Sequence, residues 1–112
     1  MAGSARQRRI LVAEYEEASQ AEMQRALERA GHLVRLASSG QEALWAYRIF
    51  GPDLLVLGPS LSGNVAARVA RVLEALAEVN PELKRPRLLR LERPAPTSEL
   101  VERVEALLSP AV

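Results

Sequence analysis

Acidic side chains follow the first apolar run of the chain, and their spacing could provide oxygen ligands for a cation. Residues 10–13 are continuously apolar, and Glu14, Glu16 and Glu17 come within the next four positions. Carboxylate oxygens are the ligands that Mg²⁺ and Ca²⁺ prefer. The cluster therefore predicts either a weak cation site or a solvated acidic loop, and the sequence leaves both interpretations open.

Side chains for nucleophilic or acid–base catalysis are scarce. The chain has no cysteine, one histidine (His32) and one lysine (Lys84). A single histidine makes neither a metal site nor a catalytic triad, and its place at the mouth of a strand predicts a surface position. The loop at 58–63 lacks the Gly-Lys-[Ser/Thr] ending of a phosphate-binding loop. We expect no catalytic residue, no cofactor and no metal, so an enzyme is the least favoured class.

The composition is that of one small globular domain. The chain has 112 residues, 48% of them hydrophobic and 26% charged, with a formal charge of +1. This length holds a single core, and a charge near zero argues against a DNA-binding regulator or an anionic membrane surface. No apolar run reaches the roughly 18 residues of a membrane span. We expect a cytoplasmic protein that binds no nucleic acid and no membrane.

Apolar runs alternate with helical patterns, and this alternation predicts the elements that position the acidic cluster. We expect strands at 10–13, 33–37, 54–57 and 88–91, and helices at 18–30, 41–50, 64–79 and from Thr97 or Ser98 onward. The order predicts an α/β fold, a flavodoxin-like doubly wound parallel sheet with four strands and four helices. The domain should span residues 9–109, between a disordered basic tail at 1–8 and a tail at 110–112.

Apolar stripes predict which faces of the last two helices reach the core. In the third helix the stripe consists of Val65, Val69, Val72, Leu73, Leu76 and Val79. In the last helix it consists of Leu100, Val101, Val104, Leu107 and Leu108, and either Thr97 or Ser98 can cap the first turn.

Several ordered segments resemble the receiver domain of two-component response regulators. They are the first strand with its acidic cluster, the approach to the second strand at 30–34, the Gly-x-Glu-Ala-Leu helix start at 40–44, the Pro-Asp-Leu strand at 52–57, and the Leu-x-Arg-Pro turn at 91–94 with the closing helix. The resemblance implies a bacterial signalling domain with a protein partner. A convergent flavodoxin-like domain is the alternative.

By the same resemblance, the chain departs from the family at the positions that carry phosphoryl chemistry. Receivers phosphorylate an aspartate, using two acidic side chains that hold Mg²⁺ and a lysine before a proline. The acidic pair aligns with Glu14 and Tyr15, the phosphoacceptor with Gly58 and the lysine with Arg93. Asp53 cannot substitute for the phosphoacceptor, because a strand rising about 3.3 Å per residue separates it from Gly58. The resemblance therefore implies a degenerate pseudo-receiver.

The chain is also one helix–strand unit shorter than the receiver pattern between Gly58 and Arg93. The fourth strand then becomes a sheet edge, where Arg85, Arg87 and Arg90 either prevent unwanted pairing or flank a site for a partner strand. Loss of a helix should expose apolar surface beside the third helix and fourth strand, which a homodimer would cover.

A second candidate surface lies on the second helix. Trp45 and Ile49 stand four residues apart and off the apolar stripe, so the pair either points to solvent or packs under a loop. Aromatic anchors are typical of interface centres. With Arg48, this pair is the candidate partner surface.

Together these features predict a phosphorylation-independent signalling or scaffold domain that acts by protein–protein interaction. The alternative is a regulatory module that binds a small anionic ligand in the crevice at the carboxyl ends of the strands, near residues 14–17, Gly58 and Arg93.

Overall fold

Strands and helices alternate along the part of the chain that the computed structural model describes, residues 7–85 and 87–109. The elements are β1 (Arg9–Ala13), α1 (Glu17–Arg29), β2 (Leu33–Ala37), α2 (Gly40–Phe50), β3 (Leu54–Leu57), α3 (Gly63–Val79), β4 (Leu88–Arg90) and α4 (Thr97–Leu108). Every predicted element is present, and β2 and β3 have the predicted bounds. None of the helices in the described residues is long and apolar enough to cross a membrane.

The strands form one parallel sheet in the order β2-β1-β3-β4. The register aligns the last residue of β1, Ala13, with Ala37 on one side and with Leu57 on the other. The carboxyl ends of the three strands therefore meet at one edge of the sheet. The predicted flavodoxin-like doubly wound fold, with four strands and four helices, is confirmed.

Each face of the sheet is covered by two helices, which is why the central strands are continuously apolar. Ile10 and Val12 pack with α1 and α4, in a core cluster that includes Leu27 and Val104. Leu11 packs on the other face with α2 and α3, in a cluster that contains Tyr47, Val69 and Leu73. Neighbouring strand residues point to opposite faces, so β1 contributes to both clusters.

Some predicted core positions are wrong because the apolar stripes continue past the residues that pack. Val79, in the last turn of α3, is 78% exposed, and the buried residues of that helix are Ala66, Val69 and Leu73. Leu107 is also exposed, because Leu100, Val104 and Leu108 form the inward face of α4 at steps of four. The predicted hydroxyl cap of α4 is wrong as well, since Pro96 precedes the helix and no side chain caps it.

Arginines connect the edge strand to the helices on both faces of the sheet. Arg90 Nη2 donates to the carbonyl oxygen of Gly63 at the start of α3, 3.2 Å away. Arg87 Nη1 donates to the carbonyl oxygen of Leu107 in α4, at 2.7 Å. Beside them Leu76 and Leu88 are half-buried, so the strongly exposed apolar surface predicted beside α3 and β4 is confined to Val79. The contacts place Arg87 and Arg90 against the helices, and both interpretations of the edge arginines stay predictions.

The predicted tails lie mostly outside the described residues, which begin at Gln7 and end at Ser109. Within the described part, Arg8 Nη2 donates to the carbonyl oxygen of Leu108 at 3.3 Å. The end of the predicted basic tail therefore contacts the last helix.

Candidate functional site

Glu14 and Gly58 lie side by side at the carboxyl edge of the sheet. Each residue directly follows its strand, and the register brings them together because Ala13 of β1 is opposite Leu57 of β3. The Gly58 amide donates to the Ala13 carbonyl oxygen at 2.7 Å, and the Glu14 amide donates to the Ala37 carbonyl oxygen at 2.9 Å. The backbone thus continues the sheet ladder through the two positions that align with receiver chemistry.

The Glu14 side chain is fully buried, which contradicts a solvated loop at this position. Its Oε1 accepts a hydrogen bond from the Ser60 amide and its Oε2 accepts one from the Glu16 amide, both at 3.1 Å. Tyr15, Glu16 and Glu17 are exposed, so the solvated-loop interpretation holds for the two acidic residues that follow Glu14. The one buried carboxylate therefore joins the β1–α1 loop to the β3–α3 loop through backbone donors.

Gly58 has no room for a side chain. A Cβ atom at this position would lie 1.9 Å from Glu14 Oε1 and 2.9 Å from the Cβ and Cδ atoms of Glu14. The positive backbone φ angles in the described residues belong to Gly31 and Gly51, not to Gly58, so the constraint is space and not backbone conformation. The Glu14 side chain occupies the space in which a side chain at position 58 would begin.

Gln20 is a buried polar residue that the sequence patterns missed. Its Nε2 donates to the Glu14 carbonyl oxygen and to Ser38 Oγ, and so connects α1 with the loops after β1 and β2. The available signal was its position three residues before Met23 and seven before Leu27, on the buried stripe of α1. A polar residue on such a stripe indicates a buried hydrogen-bond network.

The other two aligned positions do not join Glu14. Tyr15 is 72% exposed. Arg93 is also exposed and lines a separate shallow groove with Arg90, Glu99 and Arg103. Of the four aligned residues, the fold brings together Glu14 and Gly58.

These residues do not fit the Mg²⁺ site of a receiver. Both Glu14 oxygens already accept backbone hydrogen bonds, the next residue presents a phenol to solvent, and Gly58 supplies no carboxylate. No group of three or more His, Cys, Asp or Glu side chains in the described ranges could hold a metal ion. We therefore derive no phosphoryl-transfer step from this site.

The opposite edge of the sheet contains a different polar cluster. Asp53 accepts hydrogen bonds from the Arg9 amide and from Lys84 Nζ, both at 2.8 Å. Burial acts to raise the pKa of Asp53, but the Arg9 amide and the Lys84 ammonium outweigh it and hold that pKa below its ordinary value.

Tyr47 Oη donates to the Lys84 carbonyl oxygen at 3.0 Å, and burial raises the pKa of Tyr47 to about 12. Both contacts fix the loop between α3 and β4.

The candidate partner surface lies beside that loop. Trp45 is 60% exposed and Ile49 is 58% exposed, so the pair points to solvent and is not covered by the loop. A groove, which we call the Trp45 groove, is lined by Trp45, Arg48, Ile49, Asn80, Glu82 and Leu83. The three residues singled out from the sequence thus form one side of a continuous surface feature.

His32 is buried, which makes the predicted surface position wrong. Its Nε2 lies 2.9 Å from Oε2 of Glu105 in α4. The two residues are 73 positions apart, and the packing of α4 against α1 brings them together. The pair therefore joins a buried imidazole to a half-exposed carboxylate at the contact between those helices.

Comparison with solved structures identifies the fold. The receiver domain of the hybrid histidine kinase CckA is 26% identical, with a TM-score of 0.63 over 90% of this chain and 99% of that one. The non-phosphorylated HemR receiver domain from Leptospira biflexa is 21% identical, with a TM-score of 0.72 over 95% and 98%. The receiver domain of Saccharomyces cerevisiae Ssk1, in a complex with the histidine phosphotransfer protein Ypd1, is 20% identical, with a TM-score of 0.67 over 90% and 72%.

No protein-family model and no curated protein matches the chain. The three solved structures nevertheless agree with one another. Each is a receiver domain, and each covers 90% or more of this chain. The chain has the receiver-like fold of two-component response regulators, as the sequence resemblance implied.

Proposed function

We propose that this domain is a phosphorylation-independent signalling or scaffold domain, a pseudo-receiver that acts by protein–protein interaction in the cytoplasm. The observation that carries the proposal is the contact between Glu14 and Gly58, where a Cβ atom would lie 1.9 Å from a carboxylate oxygen. A residue without a side chain cannot accept a phosphoryl group, and the buried carboxylate fills the space in which one would stand. The conformation of the two adjoining loops is then set by the sequence.

Electrostatics and space argue against the alternative of a small anionic ligand in the same crevice. An anion beside Gly58 would meet the Glu14 carboxylate, whose two oxygens already accept backbone hydrogen bonds. Like charges at short distance in a poorly solvated site repel strongly. Arg93, the cation expected to attract such a ligand, is exposed and lines another groove.

A protein partner is supported by the exposed residues Trp45 and Ile49 and by the neighbouring structures. The Ssk1 receiver domain was solved with its partner protein Ypd1. In this chain the exposed aromatic and aliphatic pair has the character of an interface centre. We propose Trp45, Arg48 and Ile49 as part of the partner surface, and a homodimer as one assembly that uses it.

Intact-mass measurement after incubation with a small phosphodonor and Mg²⁺ tests the proposal. We expect no change in mass, whereas a working receiver domain treated in parallel should gain about 80 Da from one phosphoryl group. A stable adduct of that mass on this chain would overturn phosphorylation independence. Peptide mapping of such an adduct would then identify the acceptor, with the carboxylates at 14–17 as the first positions to inspect.

A further inference from the structure

We infer that the Trp45 groove is a homodimer interface, in which the groove of one copy packs against the same groove of a second copy. The inference rests on the proposed protein-interaction function, but its failure can be distinguished from the failure of that proposed function. Self-association can be absent while the mass test still finds no phosphoryl adduct.

The centre of the groove is apolar and open. Trp45 and Ile49 lie one helical turn apart on α2, and both expose more than half of their side chains. Half-buried Leu83, on the far side of the groove, extends the apolar surface onto the loop. Burial of an exposed tryptophan in an interface is among the largest favourable terms in association.

The charges that line the groove favour a second copy as the occupant. Arg48 and Glu82 both line it and both are exposed. The ion pairs within residues 7–85 and 87–109 are His32–Glu105 and Asp53–Lys84, so neither Arg48 nor Glu82 forms an ion pair within that part of the chain. A two-fold axis places the same patch on both subunits. Each Arg48 can then meet the Glu82 of the other copy, and this contact occurs twice.

The loop that supplies Glu82 and Leu83 is fixed before any partner binds. The neighbouring residue Lys84 is held through its carbonyl oxygen by Tyr47 and through its ammonium by Asp53. A surface that is already ordered loses less conformational entropy on association. The formal charge of +1 on each chain also adds little long-range repulsion between copies.

Trp45 is the only tryptophan of the chain, so its fluorescence reports on this surface alone. We expect sedimentation velocity to detect a dimer as concentration rises, and Trp45 emission to shift to shorter wavelength over the same range. Trp45→Ala should weaken dimerisation by about thirtyfold, the effect of removing an interface anchor. The side chain is mostly exposed, so at concentrations where the wild type is monomeric the variant should keep the thermal stability of the wild type.

Charge reversal identifies the facing residues. Arg48→Glu and Glu82→Arg should each weaken self-association by about tenfold or more, because each places like charges across the interface. An equimolar mixture of the two variants should dimerise again, since one chain then carries two acidic groove residues and the other two basic ones. Arg71→Glu, on the exposed face of α3, is the matched control and should leave dimerisation unchanged.

Three results would overturn the inference. One is a wild-type chain that stays monomeric at the highest concentration reached. Another is a dimer in which Trp45 keeps the emission of an exposed indole. The third is failure of the mixed charge-reversal variants to recover the association that each has lost alone.

Discussion

The two edges of the sheet each hold a carboxylate that belongs to the fold, and they hold it by different means. At the carboxyl edge Glu14 is fully buried and is satisfied by the backbone amides of Glu16 and Ser60. At the amino edge Asp53 is partly exposed and is paired with the ammonium of Lys84. Glu14 is held by backbone amides, whereas Asp53 is held by the flexible side chain of Lys84, which water can replace.

This difference indicates where the molecule tolerates change. A buried acceptor leaves its donors unsatisfied when it is lost, whereas an exposed ion pair exchanges its partner for water at little cost. In receivers the carboxyl edge is the reactive one, by the resemblance described above. In this chain the carboxylate of the carboxyl edge is fully buried, whereas the ion pair of the amino edge, beside the Trp45 groove, is partly exposed.

Gly58→Ala should have the largest effect, because the added Cβ would lie 1.9 Å from Glu14 Oε1. We expect a loss of about 3 kcal/mol in the free energy of unfolding. Glu14→Ala should cost about 2 kcal/mol by leaving two amides unsatisfied, and the double variant should cost about 2 kcal/mol less than the sum. Urea unfolding of the four proteins measures this coupling.

Gly63→Ala is the matched control for that cycle. Its Cβ would lie 3.3 Å from Arg90 Nη2, the end of an exposed, flexible side chain, so a shift of a few tenths of an ångström relieves the contact. We expect its stability within about 0.5 kcal/mol of the wild type. Additive effects of the Gly58 and Glu14 substitutions would contradict the packing described for the carboxyl edge of the sheet.

Tyr47→Phe tests the amino edge, with an intermediate effect. It removes the hydrogen bond to the Lys84 carbonyl oxygen, and we expect a loss of about 1 kcal/mol at neutral pH. The wild type should also lose stability as the pH rises from 10.0 toward about 12, because the folded state keeps the Tyr47 proton that the unfolded state releases. Tyr47→Phe should lack this alkaline loss.

Tyr15→Phe is the control for Tyr47→Phe, since Tyr15 is the other tyrosine and is exposed. It should unfold like the wild type at neutral pH and should keep the alkaline loss of stability. An equal alkaline loss in Tyr47→Phe and Tyr15→Phe would show that burial of Tyr47 is not its source.

Asp53→Asn should have the smallest effect, seen mainly in acid. The pKa of folded Asp53 lies below its ordinary value of 3.8. Its contribution to stability is therefore fully present above that value and is lost as the pH falls through the lower, folded pKa. We expect Asp53→Asn to be slightly less stable than the wild type at neutral pH and to lose less stability on acidification.

Unfolding midpoints measured from neutral pH down to about pH 2.5 check the Asp53 prediction. Glu102→Gln removes an exposed carboxylate from α4 and should leave the acid profile as it is in the wild type. If Asp53→Asn shows the same dependence of the unfolding midpoint on pH as the wild type, the contact with Lys84 contributes nothing to stability in solution.

The sequence predicted the two central strands well because β1 and β3 are short apolar runs, followed by Glu14 and by Gly58. It did not predict the state of Glu14, because an acid within an acidic run has the pattern of a solvated loop. Burial follows from the register of β1 and β3, which places the Glu14 carboxylate against a residue 44 positions later in the chain. A pattern read over neighbouring residues cannot show a contact between residues so far apart in the chain.

The same limit explains the remaining corrections. His32 is buried and contacts Glu105, and local spacing gives no sign of a pair so distant in sequence. Val79 continues a regular stripe but lies beyond the buried residues of α3. From the sequence, Trp45 and Ile49 either point to solvent or pack under a loop. The 80–85 loop lies beside the pair without covering it, so the pair points to solvent.

The fit of Glu14 against Gly58 also restricts the sequences that are accessible to this chain by single substitutions. An aspartate at position 58 would collide with the carboxylate already there, and removal of that carboxylate first would take away the acceptor of two part-buried backbone amides. Each order of changes passes through a destabilised intermediate sequence. Under the proposed function, packing therefore opposes the first step of either order toward an acceptor carboxylate at position 58.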